Sequence, residues 1–134
     1  MKKKLLLLIA LNVFVGGLAS ANDCPLYFPS EHLCGNIVWD KAPSADSKSE
    51  FIVSFWKKEE GSSSGPFVDP KGQVGVFLRM TCCGSVSFPA VKKVTEGEYA
   101  VTDASFSPGN WEVYVQLKQG EQVDKQFVKV HVDD

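Results

Sequence analysis

The chain has 134 residues, 44% of them hydrophobic and 22% charged, with four Cys, two His and a formal net charge of −2. That length fits one domain, and the composition excludes a disordered tail, a collagen repeat and a coiled coil. An acidic balance also argues against nucleic acid, which is bound by clustered Lys and Arg.

At the N-terminus, Lys2, Lys3 and Lys4 precede an apolar run from Leu5 to Leu18, and Ala19-Ser20-Ala21 follows. A positive start, a short apolar stretch and a small-x-small site read as a cleaved secretory signal peptide over residues 1–21. Cleavage takes 21 residues from 134 and leaves a mature domain, 22–134. It also removes three Lys, leaving eleven Lys and Arg against sixteen Asp and Glu, a net charge of −5. The apolar run is short for a membrane span, and no second run would hold the mature chain in a membrane. Cys24 follows Ala21-Asn22-Asp23 rather than small residues, which argues against a lipid anchor. The expectation is an exported domain, periplasmic or secreted, in an oxidising compartment.

Beyond residue 35 the hydrophobic period is two. Asn36 to Asp40 is a first short strand candidate. Phe51, Val53 and Phe55 share one face of Glu50 to Lys57, and Val74, Val76, Leu78 and Met80 share one face of Gln73 to Met80. Val86 to Val94 and Glu98 to Asp103 are further short candidates. Trp111, Val113, Val115 and Leu117 alternate with polar residues, and Val128, Val130 and Val132 do the same. Such alternation marks half-buried strands. Gly120 lies between the last two runs and reads as a hairpin turn. Loops are expected at Lys41 to Lys48, at Glu59 to Lys71 and at Phe106 to Asn110. The second is dense in Gly, Ser and Pro, which predicts a long, mobile excursion. The pattern predicts an all-β chain: a single immunoglobulin-like antiparallel β-sandwich of about seven strands, with a closed barrel as the alternative. Trp39, Trp56 and Trp111 read as core or near-core anchors.

The four cysteines are Cys24, Cys34, Cys82 and Cys83, and they allow three full pairings. A Cys24–Cys34 disulfide would tie the mature N-terminus to the first strand. Adjacent Cα atoms sit ~3.8 Å apart, below the usual disulfide range. A Cys82–Cys83 bridge is therefore strained and readily reduced. Cross-pairing of Cys24 and Cys34 with this pair would instead staple the N-terminal segment to the Met80 region. If both thiols stay free, an exported protein needs a use for them, such as metal binding or redox exchange. Met80-Thr81-Cys82-Cys83-Gly84-Ser85 offers a thioether and two thiols within four residues, a donor set that selects Cu(I) first and zinc second. Against this, Met80 also reads as a core residue continuing the Leu78 face. His32 is a candidate additional metal ligand beside Cys34, and His131, between Val130 and Val132, reads as solvent-facing.

Further stretches carry a likeness. Leu33-Cys34-Gly35-Asn36-Ile37-Val38-Trp39 is followed by Ala42-Pro43 and by Ser49-Glu50-Phe51 with Phe55-Trp56. Then come Val76-Phe77-Leu78-Arg79-Met80, Gly84-Ser85, Gly97-Glu98-Tyr99 and Phe106-Ser107-Pro108-Gly109-Asn110-Trp111-Glu112-Val113. In order and spacing this resembles the exported YtkA-like/FixH-like bacterial domains over nearly all of the mature chain. The resemblance implies a small immunoglobulin-like sandwich that is not an enzyme. It also implies a Met- and His-containing loop after the strand at Gln73 to Met80, for which copper binding or delivery is suspected in some relatives. Met80 and Gly84-Ser85 match that loop. Its His and second Met are absent, Cys82 and Cys83 stand near their places, and Ser107 stands where many relatives have Met.

Two functions follow as expectations. The first is an exported Cu(I)-binding or Cu(I)-delivery protein using Met80, Cys82 and Cys83, with a copper-receiving envelope protein as partner. The second is a metal-free interaction module with structural disulfides, for which the loop Gly61 to Gly72 and Trp56, Phe67 and Tyr114 are candidate contacts. Enzymatic chemistry is disfavoured. Only two His are present, the adjacent cysteines suit a thiol oxidoreductase poorly, and no phosphate-binding Gly loop opens a helix.

Overall fold

The structure is a computed structural model that describes residues 23–134. The signal-peptide expectation, residues 1–21, lies outside the described residues. Nine strands follow one another with no helix between them. They are β1 (Leu26–Phe28), β2 (Leu33–Lys41), β3 (Ser49–Lys57), β4 (Gln73–Met80), β5 (Val86–Ser87), β6 (Ala90–Thr95), β7 (Glu98–Ala104), β8 (Gly109–Gln119) and β9 (Gln122–Val132). They form two antiparallel sheets, one in the order β1-β2-β3-β7-β6 and the other in the order β9-β8-β4-β5.

Leaving aside the short β1 and β5, these orders match the two sheets of the immunoglobulin sandwich. The expected architecture is present, but with nine strands rather than about seven. Two local features account for the difference. β1 was not anticipated, because three residues are too few to display a period. The run Val86 to Val94 divides at Phe88-Pro89 into β5 and β6, which belong to different sheets. Proline has no N–H for the ladder, so it sits where the chain leaves one sheet for the other.

The alternation seen in the sequence sets the core. Phe51, Val53 and Phe55 from β3 meet Val76 and Leu78 from β4 and Trp111, Val113, Val115 and Leu117 from β8, all buried. Each such side chain contributes roughly 1.5–3 kcal/mol relative to exposure. At one end of the sandwich Phe106 packs edge-on against Trp111, with ring centroids 5.3 Å apart, and lies 6.2 Å from Trp39. The Trp111 indole N–H donates to the Ser107 carbonyl at 2.8 Å, so the polar edge of a buried ring is satisfied.

The segment between β3 and β4 departs from the mobile excursion its composition suggests. It folds back over the outer face of β3 and covers Trp56, which is only 1% exposed, with Phe67 6.5 Å away between ring centroids. The Val68 N–H donates to the Phe55 carbonyl, and Glu31 accepts from the N–H groups of Lys71 and Gly72. Asp69 accepts from the Gly97 N–H and pairs with Lys93. These bonds, formed with residues distant in sequence, hold a breaker-rich segment in one place.

Candidate functional site

The cysteine loop joins β4 to β5 at one end of the sandwich. Both of its cysteines are exposed and bonded to each other, with Cα atoms 3.7 Å apart. The loop is framed by backbone: the Met80 N–H donates to the Ser85 carbonyl, the Gly84 N–H to the Met80 carbonyl and the Thr81 N–H to the Asn110 carbonyl. Gly84 takes a φ of +73°, a left-handed turn that glycine adopts freely. Met80 is half-buried and packs against the core, its Cε beside Gly109. It thus follows the Leu78 face, as the alternation allowed.

The second disulfide joins Cys24 to Cys34, with Cα atoms 5.2 Å apart, in the expected pairing. Cys34 is 1% exposed and lies in β2, paired across the ladder with Trp56. No cysteine among the described residues is free. The free-thiol form on which a metal site at Cys82 and Cys83 depends is therefore not the form this structure holds.

His32 is not brought to that loop. Its neighbour Glu31 binds Lys71 and Gly72, just before β4, whereas Met80 ends β4. Eight residues of strand separate the two positions, roughly 25 Å at ~3.3 Å per residue. His32 instead has its Nδ1 3.1 Å from the Tyr27 hydroxyl. The histidine at the cysteine-loop end is His131. It is exposed as anticipated, bonded through Nδ1 to Asn110 at 2.7 Å and 3.2 Å from the Asp133 carboxylate. With Thr81, Trp111 and Lys129 it lines a shallow cleft of about 390 Å³. Strand pairing decides this placement, since β9 returns antiparallel along β8 and puts His131 opposite Asn110. Among the described residues no three His, Cys, Asp or Glu side chains converge as a metal cage.

A second feature lies on the open face of the β9-β8-β4-β5 sheet. Cross-strand register places Phe127 opposite Tyr114, and Tyr114 opposite Phe77. Phe88, just past β5, extends the row. Ring centroids are 5.0 Å apart for Phe127–Tyr114, 4.5 Å for the stacked pair Tyr114–Phe77 and 6.1 Å for Phe77–Phe88. The end residues stand clear, with Phe88 78% and Phe127 43% exposed. Arg79 and the Tyr114 hydroxyl both donate to Glu112 Oε1 at 3.0 Å, which orders the row beside them. Burial, and next the hydrogen bond to Glu112, raise the Tyr114 phenol above its ordinary range.

The charges on that face are lopsided. Register puts Lys118 and Lys125, together with Lys129 and Arg79, on the same side as the aromatic row, against the carboxylate of Glu112 and that of Asp133, which pairs with His131 past the end of β9. Four of the eleven Lys and Arg of the described chain thus share a face with two of its sixteen Asp and Glu. Of the aromatic candidate contacts of the interaction reading, Tyr114 lies on this face. Trp56 does not: it lies on β3 of the other sheet, where the β3–β4 segment buries it and Phe67 packs with it. Phe77, Phe88 and Phe127 were missed. Each occupies the polar-facing phase of its own stretch, and only pairing between strands assembles them into a row.

No family model matches the chain, and no curated protein matches it either.

Proposed function

We propose that the chain is an exported, disulfide-stapled immunoglobulin-like binding domain whose β9-β8-β4-β5 face docks an anionic protein partner. One observation carries the reading: an exposed aromatic row runs across a basic face of an otherwise acidic domain. Aromatic and Arg side chains are enriched at the centres of protein interfaces. Charge complementarity speeds encounter and selects partners. Phe77 and Tyr114 stack on each other, while Phe88 and Phe127 tilt away at the two ends and are the rings most open to an approaching surface. Two paired disulfides and the N-terminal segment support an oxidising compartment, periplasmic or extracellular. The reading requires neither metal nor catalysis.

The test is site-specific photo-crosslinking in cells, with a photoreactive phenylalanine at Phe88, at Phe127 and, as control on the opposite sheet, at Val38. The same adduct should appear from positions 88 and 127 and not from 38, and it should fade in the double variant Lys125→Glu/Lys129→Glu. Equal labelling at Val38, or no adduct anywhere, refutes the docking face.

A second reading is favoured by the clustering of sulfur in one loop. Once reduced, Cys82 and Cys83 with Met80 would offer soft donors to Cu(I), as in a YtkA-like/FixH-like copper-handling domain serving a copper-receiving envelope protein. Ligand thiols must lose protons, so binding would weaken at low pH. Native mass spectrometry of the reduced protein with anaerobic Cu(I) decides it. One retained copper that disappears in Cys82→Ser/Cys83→Ser supports the site, and copper retained by that variant refutes it.

A further inference from the structure

The two disulfides of this chain do different physical work. Cys24–Cys34 closes a loop across ten positions and has one partner buried. Cross-links of that kind restrict the unfolded chain, and the effect grows with loop length. Cys82–Cys83 spans a sequence separation of one, so it closes no loop of chain beyond its own small ring. Nothing in the chain-entropy account makes it a stabilising device. Nor does the surrounding loop need it: the three backbone bonds that frame Met80 to Ser85 use neither Cys82 nor Cys83. Both cysteines are exposed, and beyond its own chain neighbours nothing lies within 4 Å of where a Cβ on the left-handed Gly84 beside them would sit. An attacking group therefore has a clear path to the bond.

We infer that Cys82–Cys83 is a thiol–disulfide exchange site that accepts two electrons from a dithiol. A thiolate of the donor attacks one sulfur of the pair. The Cys82–Cys83 bond breaks, a mixed disulfide forms, and the other cysteine leaves as a thiolate and takes up a proton. The donor's second thiol then attacks the mixed disulfide. The donor departs as a disulfide, and the remaining cysteine is released and protonated. Exposed bridges are the exchangeable ones in a protein, whereas buried structural bridges resist reduction. The site is independent of the aromatic face and would operate whether or not that face docks a partner.

The experiment uses the oxidised mature protein and dithiothreitol as the dithiol. Graded amounts are equilibrated anaerobically, free thiols are blocked with N-ethylmaleimide, and peptides are weighed to count labels at each cysteine. Cys82 and Cys83 should become labelled together at a dithiothreitol concentration at least about tenfold below that which labels Cys24 and Cys34. The thermal midpoint of the selectively reduced protein should match that of the oxidised protein. Reduction of both pairs over the same range, or first at Cys24–Cys34, overturns the inference. So does labelling of Cys82 and Cys83 before any reductant is added, which would mean the pair is not a disulfide. The variant Cys82→Ser/Cys83→Ser should keep the wild-type midpoint, and a large loss of stability would make the bridge structural instead.

Discussion

Gly97→Ala sets a methyl group against the backbone of the β3–β4 segment. An ideal Cβ at Gly97 lies 2.5 Å from the Val68 nitrogen and 2.5 Å from Phe67 Cβ. The obstacle is partly main chain, so a side-chain rotation cannot relieve it. Gly97 also has a φ of +74°, where an L side chain costs about 1–2 kcal/mol. Crowding adds about 1–3 kcal/mol. Lifting Val68 threatens its bond to Phe55 and the Gly97–Asp69 bond, each about 1 kcal/mol. The expected loss is about 4 kcal/mol. Gly120→Ala supplies the control, because its φ is +59° but no atom lies within 4 Å of its Cβ position. It carries only the backbone cost, about 1–2 kcal/mol. Urea unfolding of both variants, with unchanged m-values, measures the difference. Equal losses in the two would refute the claim that the β3–β4 segment is seated on Gly97.

Three other outcomes are expected. The Lys93 hydrogen bond, then the Gly97 N–H, hold the Asp69 carboxyl below its ordinary range. A carboxyl lowered on folding stabilises the protein above its unfolded value, about 3.9, and that contribution is lost as pH falls through the folded value. Urea midpoints taken from pH 6 down to pH 2 should therefore fall less steeply in Asp69→Asn than in the wild type, and parallel curves would contradict the anchoring role. Cys24→Ser/Cys34→Ser should lose about 3 kcal/mol, from closure of a loop across ten positions, and a loss below about 1 kcal/mol would mean that this bridge does not restrain the unfolded chain as argued. Phe88→Ser, at a ring 78% exposed, should change stability by less than about 0.5 kcal/mol. Calorimetry showing a loss of several kcal/mol would mean the ring belongs to the fold rather than to a free surface.

Much of the fold was legible because alternation is a local property. Trp111, Val113, Val115 and Leu117 declare a buried face without reference to any other strand, and all four are buried. The Cys24–Cys34 pairing was one of three that the sequence allowed, favoured by its short separation, and the structure holds it. The candidate sites were less legible. Met80 was rightly seen as a continuation of the Leu78 face, and the adjacency of Cys82 and Cys83 is plain in the chain. His32 is close to Cys34 in the chain, but chain proximity to one cysteine says nothing of distance to the Cys82–Cys83 loop, which strand pairing sets.

The sequence by itself determined the two-residue period, the turn position at Gly120, the all-β antiparallel class and the cysteine adjacency. These depend on side-chain direction and backbone freedom within a few residues. Only the tertiary structure decided that the breaker-rich segment lies over Trp56, that His131 rather than His32 sits at the cysteine-loop end, and that Phe127, Tyr114, Phe77 and Phe88 form one row. Each of those facts is a contact between strands far apart in the chain. Register sets such contacts, and a slip of one residue would turn every side chain of a strand to the other face. A single strand's pattern carries its own inward and outward sides, but not the identity of its neighbours.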